Sequence, residues 1–83
     1  MNDPYTTSDT SLAAFLDYKG NKMVGLMQDP NDSRRKVFVF IKEDNTLELE
    51  EEYNAGIVPV HLMLYYKSIR KMHHTLKYGE LIK

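Results

Sequence analysis

At 83 residues, with eleven Lys and Arg against twelve Asp and Glu and no cysteine, the chain has room for one hydrophobic core and no covalent staple, because a domain this short buries only ~60% of the surface its unfolded form exposes. The missing cysteine excludes disulfides and Cys-containing zinc sites, and the net charge of −1 excludes a protein that holds nucleic acid by bulk positive charge, leaving only local patches. No apolar run approaches the ~18 residues of a membrane span, and Met1-Asn2-Asp3-Pro4 lacks the basic-then-apolar order of an export signal.

The expectation is therefore a single cytoplasmic domain over residues 1–83, complete from its own Met1, with short tails at 1–4 and 79–83. Tyr5-Thr6-Thr7 carries β-forming residues and reads as a short edge strand. Ser8 or Thr7 can cap the helix that follows, with Asp9 in its first turn. Leu12, Phe15 and Leu16 fall at i, i+3 and i+4, Ala13 and Ala14 add propensity, and Gly20 stands where a left-handed cap closes a helix ending near Lys19.

Lys22 to Gln28 is the next strand, with Val24 and Leu26 on one side and Met23, Gly25 and Met27 on the other. Asp29-Pro30-Asn31-Asp32-Ser33 is dense in turn formers and predicts an antiparallel hairpin with a loop of about six residues, placing Arg34, Arg35 and Lys36 near its tip. The second hairpin strand, Lys36 to Ile41, is apolar at odd and even positions alike. One helical layer can cover Val37, Val39 and Ile41, while Phe38 and Phe40 need another. This strand is thus expected at the centre of a sheet, beside Tyr5–Thr7, with helices on both faces or a dimer partner over one.

Thr46 to Glu50 alternates like a strand, but Asn45 followed by Glu48 resembles a capping box, and Glu48, Glu50, Glu51 and Glu52 are helix formers. A helix from about Glu43 to Asn54 follows, with Leu49 and Tyr53 as its apolar pair and Ala55-Gly56 as its end. Pro59 suits the first position of a last helix running to about Tyr78. Steps of ~100° per residue place Leu62, Tyr65, Ile69, Met72 and Leu76 in one stripe, and Lys67, Arg70, Lys71, His74 and Lys77 opposite. The predicted fold is α+β in β-α-β-β-α-α order, a two- to three-stranded antiparallel sheet with helices packed on it.

The succession Tyr5-Thr6-Thr7-Ser8-Asp9, Leu12-Ala13-Ala14-Phe15-Leu16, Gly20, Val37-Phe38-Val39-Phe40, Tyr53-Asn54-Ala55-Gly56, Val58-Pro59 and Tyr66-Lys67-Ser68-Ile69-Arg70 resembles a small single-domain family of unknown function that recurs in phage, mobile-element and metagenomic proteins. The resemblance spans nearly the whole chain. It implies this fold and a viral setting, and no activity.

Residues that could carry chemistry are few. His73 and His74 are adjacent and so point ~100° apart on a helix, and His61 lies more than three turns away, so no metal set is expected. No Gly-x-Ser-x-Gly elbow appears, and no cofactor motif; an enzyme is the disfavoured class. The glutamates Glu48, Glu51 and Glu52 read as a solvated face or as a negative strip for a basic partner. Met63, Leu64 and Tyr66 are apolar where the first turn of the last helix should be wet, which marks a protein contact or a surface for self-association. Arg34, Arg35 and Lys36, joined to Lys67, Arg70, Lys71, His74 and Lys77, are the alternative, a phosphate-binding patch.

The expectation is a non-enzymatic phage or mobile-element accessory protein in the host cytoplasm. It would act by binding a host or phage protein, with inhibition of a host defence factor as its specific form. The alternative is a small nucleic-acid-binding module using the basic face of the last helix.

Overall fold

The computed structural model describes residues 4–56 and 58–81. Three strands, β1 (Tyr5–Thr7), β2 (Met23–Asp29) and β3 (Asp32–Phe40), and three helices, α1 (Thr10–Tyr18), α2 (Thr46–Ala55) and α3 (Leu62–Tyr78), follow one another as β1-α1-β2-β3-α2-α3. The sheet is antiparallel in the order β1-β3-β2, with Tyr5 opposite Phe40 and Thr7 opposite Phe38. The α+β class, the element order and the central position of β3 are those read from the sequence.

The hairpin departs from that reading in two ways. Asp29 pairs with Asp32, so only Pro30 and Asn31 form the turn, in place of about six residues. Neither turn residue has positive φ, which excludes the primed turns whose twist matches the strands; the mismatch falls on a register shift between Gln28 and Asp29. The Asp29 carboxylate accepts the Asn31 N–H at 2.8 Å and so holds the turn. The second departure is a register shift between Met23, opposite Phe40, and Gly25, opposite Val39, which leaves Val24 as an extra residue. Met23 therefore joins Leu26 on the side of Phe38 and Phe40, and Val24, expected to share the Leu26 side, is 55% exposed. Ile41 lies beyond the strand and is half exposed.

Asp9 caps α1: its carboxylate accepts from the Ser11 and Leu12 N–H groups, one residue after the predicted Ser8 cap and two after its alternative, Thr7. At the other end Gly20 (φ 95°) lets its own N–H reach the Asp17 carbonyl while the Asn21 N–H reaches Leu16, closing the helix as expected. Asn45 precedes α2 but makes no side-chain cap, so the predicted capping box is absent. Its carboxamide oxygen instead accepts from the Asn21 side chain, whose own oxygen accepts the Thr46 hydroxyl at 2.7 Å. Thr46 Oγ1 also accepts the Glu43 N–H. Pro59 is not in α3; the helix begins three residues later, where His61 Nδ1 accepts the Leu64 N–H.

The core gathers Leu12, Ala13, Ala14, Phe15 and Leu16 of α1 with Leu49, Met72 and the sheet residues Leu26, Phe38 and Phe40. All three sheet residues belong to one face, so the helices form a single layer on it. Val37 and Val39, on the other face, are buried but take no part in this cluster. Two helical layers, one per face, are thus not what the core builds. Beyond α3, within the segment read as a tail, Leu81 forms an isolated parallel bridge with Leu26. The chain reaches it through Gly79, where a Cβ would stand 2.5 Å from the Thr75 carbonyl oxygen.

Candidate functional site

The three-residue advance of the α3 start decides what the predicted contact surface looks like. With His61 as cap, Leu62, Met63 and Leu64 occupy the first turn and all are exposed, as is Tyr66. Leu62 was expected in the buried stripe, but as the first residue of α3 it is 74% exposed. The stripe proper begins at Tyr65 and continues through Ile69, Met72 and Leu76, with Ser68 buried among them.

Beside this turn lies an apolar cleft of about 180 Å³, lined by Phe15, Tyr53, Gly56, Val58, Val60 and Tyr65. Phe15 belongs to α1, Tyr53 to the end of α2, with Gly56 as its cap, and Tyr65 to α3, while Val58 and Val60 precede α3. The walls are tied in place. The rings of Phe15 and Tyr53 are 5.9 Å apart, those of Tyr18 and Tyr65 meet edge to face at 6.0 Å, Tyr65 donates to the Ser11 carbonyl, and the His61 N–H donates to the Tyr18 hydroxyl. Burial, followed by the nearby Tyr53 and Asp9, raises the Tyr65 hydroxyl above its ordinary value.

Glu48, Glu51 and Glu52 are exposed on the outer side of α2, as the negative-strip reading requires. Glu50 is different. It turns inward and accepts the Tyr5 hydroxyl, tying α2 to the edge strand β1. Desolvation first, and then this carboxylate, push the Tyr5 phenol well above the ordinary tyrosine range.

The basic residues do not converge. Arg35 donates to the Ser8 hydroxyl at 3.3 Å, whereas Arg34 pairs with Asp32 at 3.5 Å beside the turn. On α3, Lys71 donates to Asp17 at 2.8 Å, with Ser68 on the other oxygen of the same carboxylate. Lys71 thus belongs to the α1–α3 seam. Lys67, Arg70, His74 and Lys77 remain together on the outer side of α3. Arg70 stands over Tyr66 at 5.9 Å, and Lys77 and His74 both approach the Tyr78 ring.

His61 is a helix cap, while His73 and His74 are exposed. Among the described residues no three His, Asp or Glu side chains gather as a metal set, and no helix is long and apolar enough to cross a membrane. The cleft was not legible in the sequence. Phe15, Tyr53 and Tyr65 carry the signal of core residues, and nothing local distinguishes a stripe that closes over a neighbour from one that leaves a gap. The run Val58-Pro59-Val60, apolar in a connector, was the one available hint.

A search of the curated proteins finds no match to the chain, and a search of the solved structures finds none. A family model matches residues 2–79, nearly the whole of the fold just described. The chain belongs to the family described as a domain of unknown function (DUF5659).

Proposed function

We propose that the chain is a non-enzymatic binding domain whose ligand is another protein, held at the first turn of α3 and the cleft beside it. The observation that carries this reading is the exposure of four large apolar residues, Leu62, Met63, Leu64 and Tyr66, within five positions next to a preformed apolar concavity. Isolated apolar residues are common on surfaces; four within about one helical turn, of which Leu62 is the one turned nearest to Tyr65, is the pattern of a contact site. The biological form of the proposal is an accessory protein of a phage or mobile element that occludes a host factor, a defence component in particular, in the host cytoplasm. Its support is the setting of the family that the sequence resembles. Affinity capture from host lysate, with nuclease treatment and mass spectrometry, tests it. Wild type is expected to retain a protein after nuclease that the Leu62→Ser/Tyr66→Ser variant loses; retention by both, or release by nuclease, contradicts the reading.

Binding of nucleic acid is the second reading, and one observation favours it: Lys67, Arg70, His74 and Lys77 share the outer side of α3 with no carboxylate partner among the described residues. Phosphate contacts would make binding weaken steeply with salt. Gel shifts of wild type against Lys67→Glu/Lys77→Glu, across a salt series, separate the two readings, since binding that is absent or unchanged removes the nucleic-acid one.

A further inference from the structure

We propose that the outer side of α3 binds a single strand of nucleic acid, with bases stacked on Tyr66 and Tyr78 and phosphates held by Lys67, Arg70 and Lys77. The proposal rests on the nucleic-acid reading above and names the form of its ligand. Six tyrosines are present, and four are committed within the fold. Tyr5 donates to Glu50, Tyr18 accepts the His61 N–H, Tyr65 donates to the Ser11 carbonyl, and Tyr53 packs against Phe15. The two left over, Tyr66 and Tyr78, are 51% and 63% exposed, and both stand on α3. At ~100° per residue they lie about 120° apart around the helix, and Lys67, Arg70, His74 and Lys77 all fall within the arc between them. Rings and cations are in contact there: Arg70 is 5.9 Å from the centre of the Tyr66 ring, and Lys77 is 5.3 Å from that of Tyr78. Each ring therefore has a cation beside it, as a base and its own phosphate require.

No Asp or Glu lies between Glu52 and Glu80, so α3 has no acid of its own. A solvated helix face ordinarily mixes both signs in i, i+4 pairs that support it. Here Lys67 stands three residues before Arg70 and four before Lys71, spacings at which like charges repel. Asp17 relieves that repulsion at Lys71 alone among the described residues. The helix dipole accounts for Lys77 in the last turn, but not for Lys67 and Arg70 in the middle. A polyanion would neutralise what the fold leaves uncompensated, and the tyrosines decide its form. A duplex keeps its base faces within its own stack, whereas a single strand offers them to aromatic side chains. Tyr66 and Tyr78 are about 18 Å apart along the axis, the reach of about five nucleotides at ~3.4 Å each. The aliphatic hydroxyls of α3, on Ser68 and Thr75, bond to Asp17 and to the Lys71 carbonyl, so neither is free to read a 2′-hydroxyl and a DNA strand serves as the probe. An acidic protein segment would answer the charge and leave the two rings without a role.

The test follows the fluorescence anisotropy of a labelled oligothymidylate of about ten nucleotides, and of a hairpin duplex, as the chain is added across a salt series. The single strand is expected to bind about tenfold or more tighter than the duplex, because stacking adds to the phosphate contacts. With three such contacts its affinity should fall with salt at a log–log slope of about −2. Tyr66→Ser/Tyr78→Ser should weaken single-strand binding by about tenfold or more, at an unchanged salt slope, and leave duplex binding as it was. Tyr66→Phe/Tyr78→Phe, which keeps the rings, should bind like wild type. Both positions are more than half exposed, so the far-ultraviolet circular dichroism of these variants should match wild type. Equal binding of strand and duplex, or single-strand binding indifferent to the loss of both rings, overturns the proposal; if Lys67→Glu/Lys77→Glu still abolishes that binding, the nucleic-acid reading stands without it. Binding of neither form at about 50 mM salt removes the reading as well. Displacement of the strand by polyglutamate as readily as by unlabelled strand would assign the face to an acidic protein and also overturn the proposal.

Discussion

Thr46 is fully buried with a hydroxyl, and Tyr5 places a phenol against a carboxylate; each succeeds because its polar atom is satisfied. Thr46 Oγ1 donates to Asn21 and accepts from the Glu43 backbone, so a side chain on α2 ties the end of α1 to the start of its own helix. The Tyr5–Glu50 pair does the same between β1 and α2, and it has a pH signature. The folded state raises the Tyr5 phenol above its ordinary 10.0 by burial and by the carboxylate, so the neutral phenol is the stabilised form. That contribution is fully present below pH 10 and is lost as pH rises toward the elevated value. Urea denaturation at intervals from pH 8 upward should show wild type losing its advantage over Tyr5→Phe above about pH 10. At neutral pH the variant should be less stable by about 1 kcal/mol; an identical pH dependence for both would mean that the pair contributes nothing. None of this was readable in advance. Asn45 and Glu48 have the spacing of a capping box, and what displaces that box is Asn21, 24 residues away along the chain, beyond the reach of any local rule.

Among the elements, those announced by several agreeing local signals came out nearly as read: α1 from its apolar spacing and Gly20, α3 from a five-member stripe, α2 from its glutamates in spite of its alternation. Errors collected where one extra residue changes the geometry without changing the composition. The bulge at Val24 is the clearest case, since period-two reasoning makes Val24 and Leu26 equivalent and the structure makes them opposites, one exposed and one fully buried. Leu26→Ala should cost about 2–5 kcal/mol, and Val24→Ala less than about 0.5 kcal/mol, by chemical denaturation; comparable costs would refute the register. The start of α3 is a similar case. Pro59 satisfies the rule for a first helical residue, but His61 supplies an actual acceptor for the Leu64 N–H, and the helix starts where a donor is satisfied. That shift carries Leu62 out of the core and into the candidate site.

At the scale of the whole molecule, strand alternation showed that β3 is central and apolar on both sides, but not how three helices would divide between two faces. They do not divide: one layer builds the core, with α1 meeting α3 through Asp17 and Tyr18 and α2 through Phe15, and with Leu12 and Leu16 buried in the same cluster as Leu26, Phe38 and Phe40. The two-residue turn at Pro30-Asn31 has a consequence of its own, in time. Closing β2 onto β3 fixes a short loop held by the Asp29 carboxylate, an event on the order of 1–10 μs for hairpins, whereas pairing β1 with β3 must first bring together segments separated by a helix and a strand. The hairpin is therefore expected to be formed in the folding transition state, with β1 joining afterward. Stopped-flow refolding should show Asp29→Ala acting mainly by slowing folding and Tyr5→Phe mainly by speeding unfolding; the reverse assignment would place the nucleus at β1. On this order the edge strand is the last segment to join and the first to leave, so brief openings of the native protein should begin at Tyr5–Thr7 and be visible as its fastest-exchanging sheet amides.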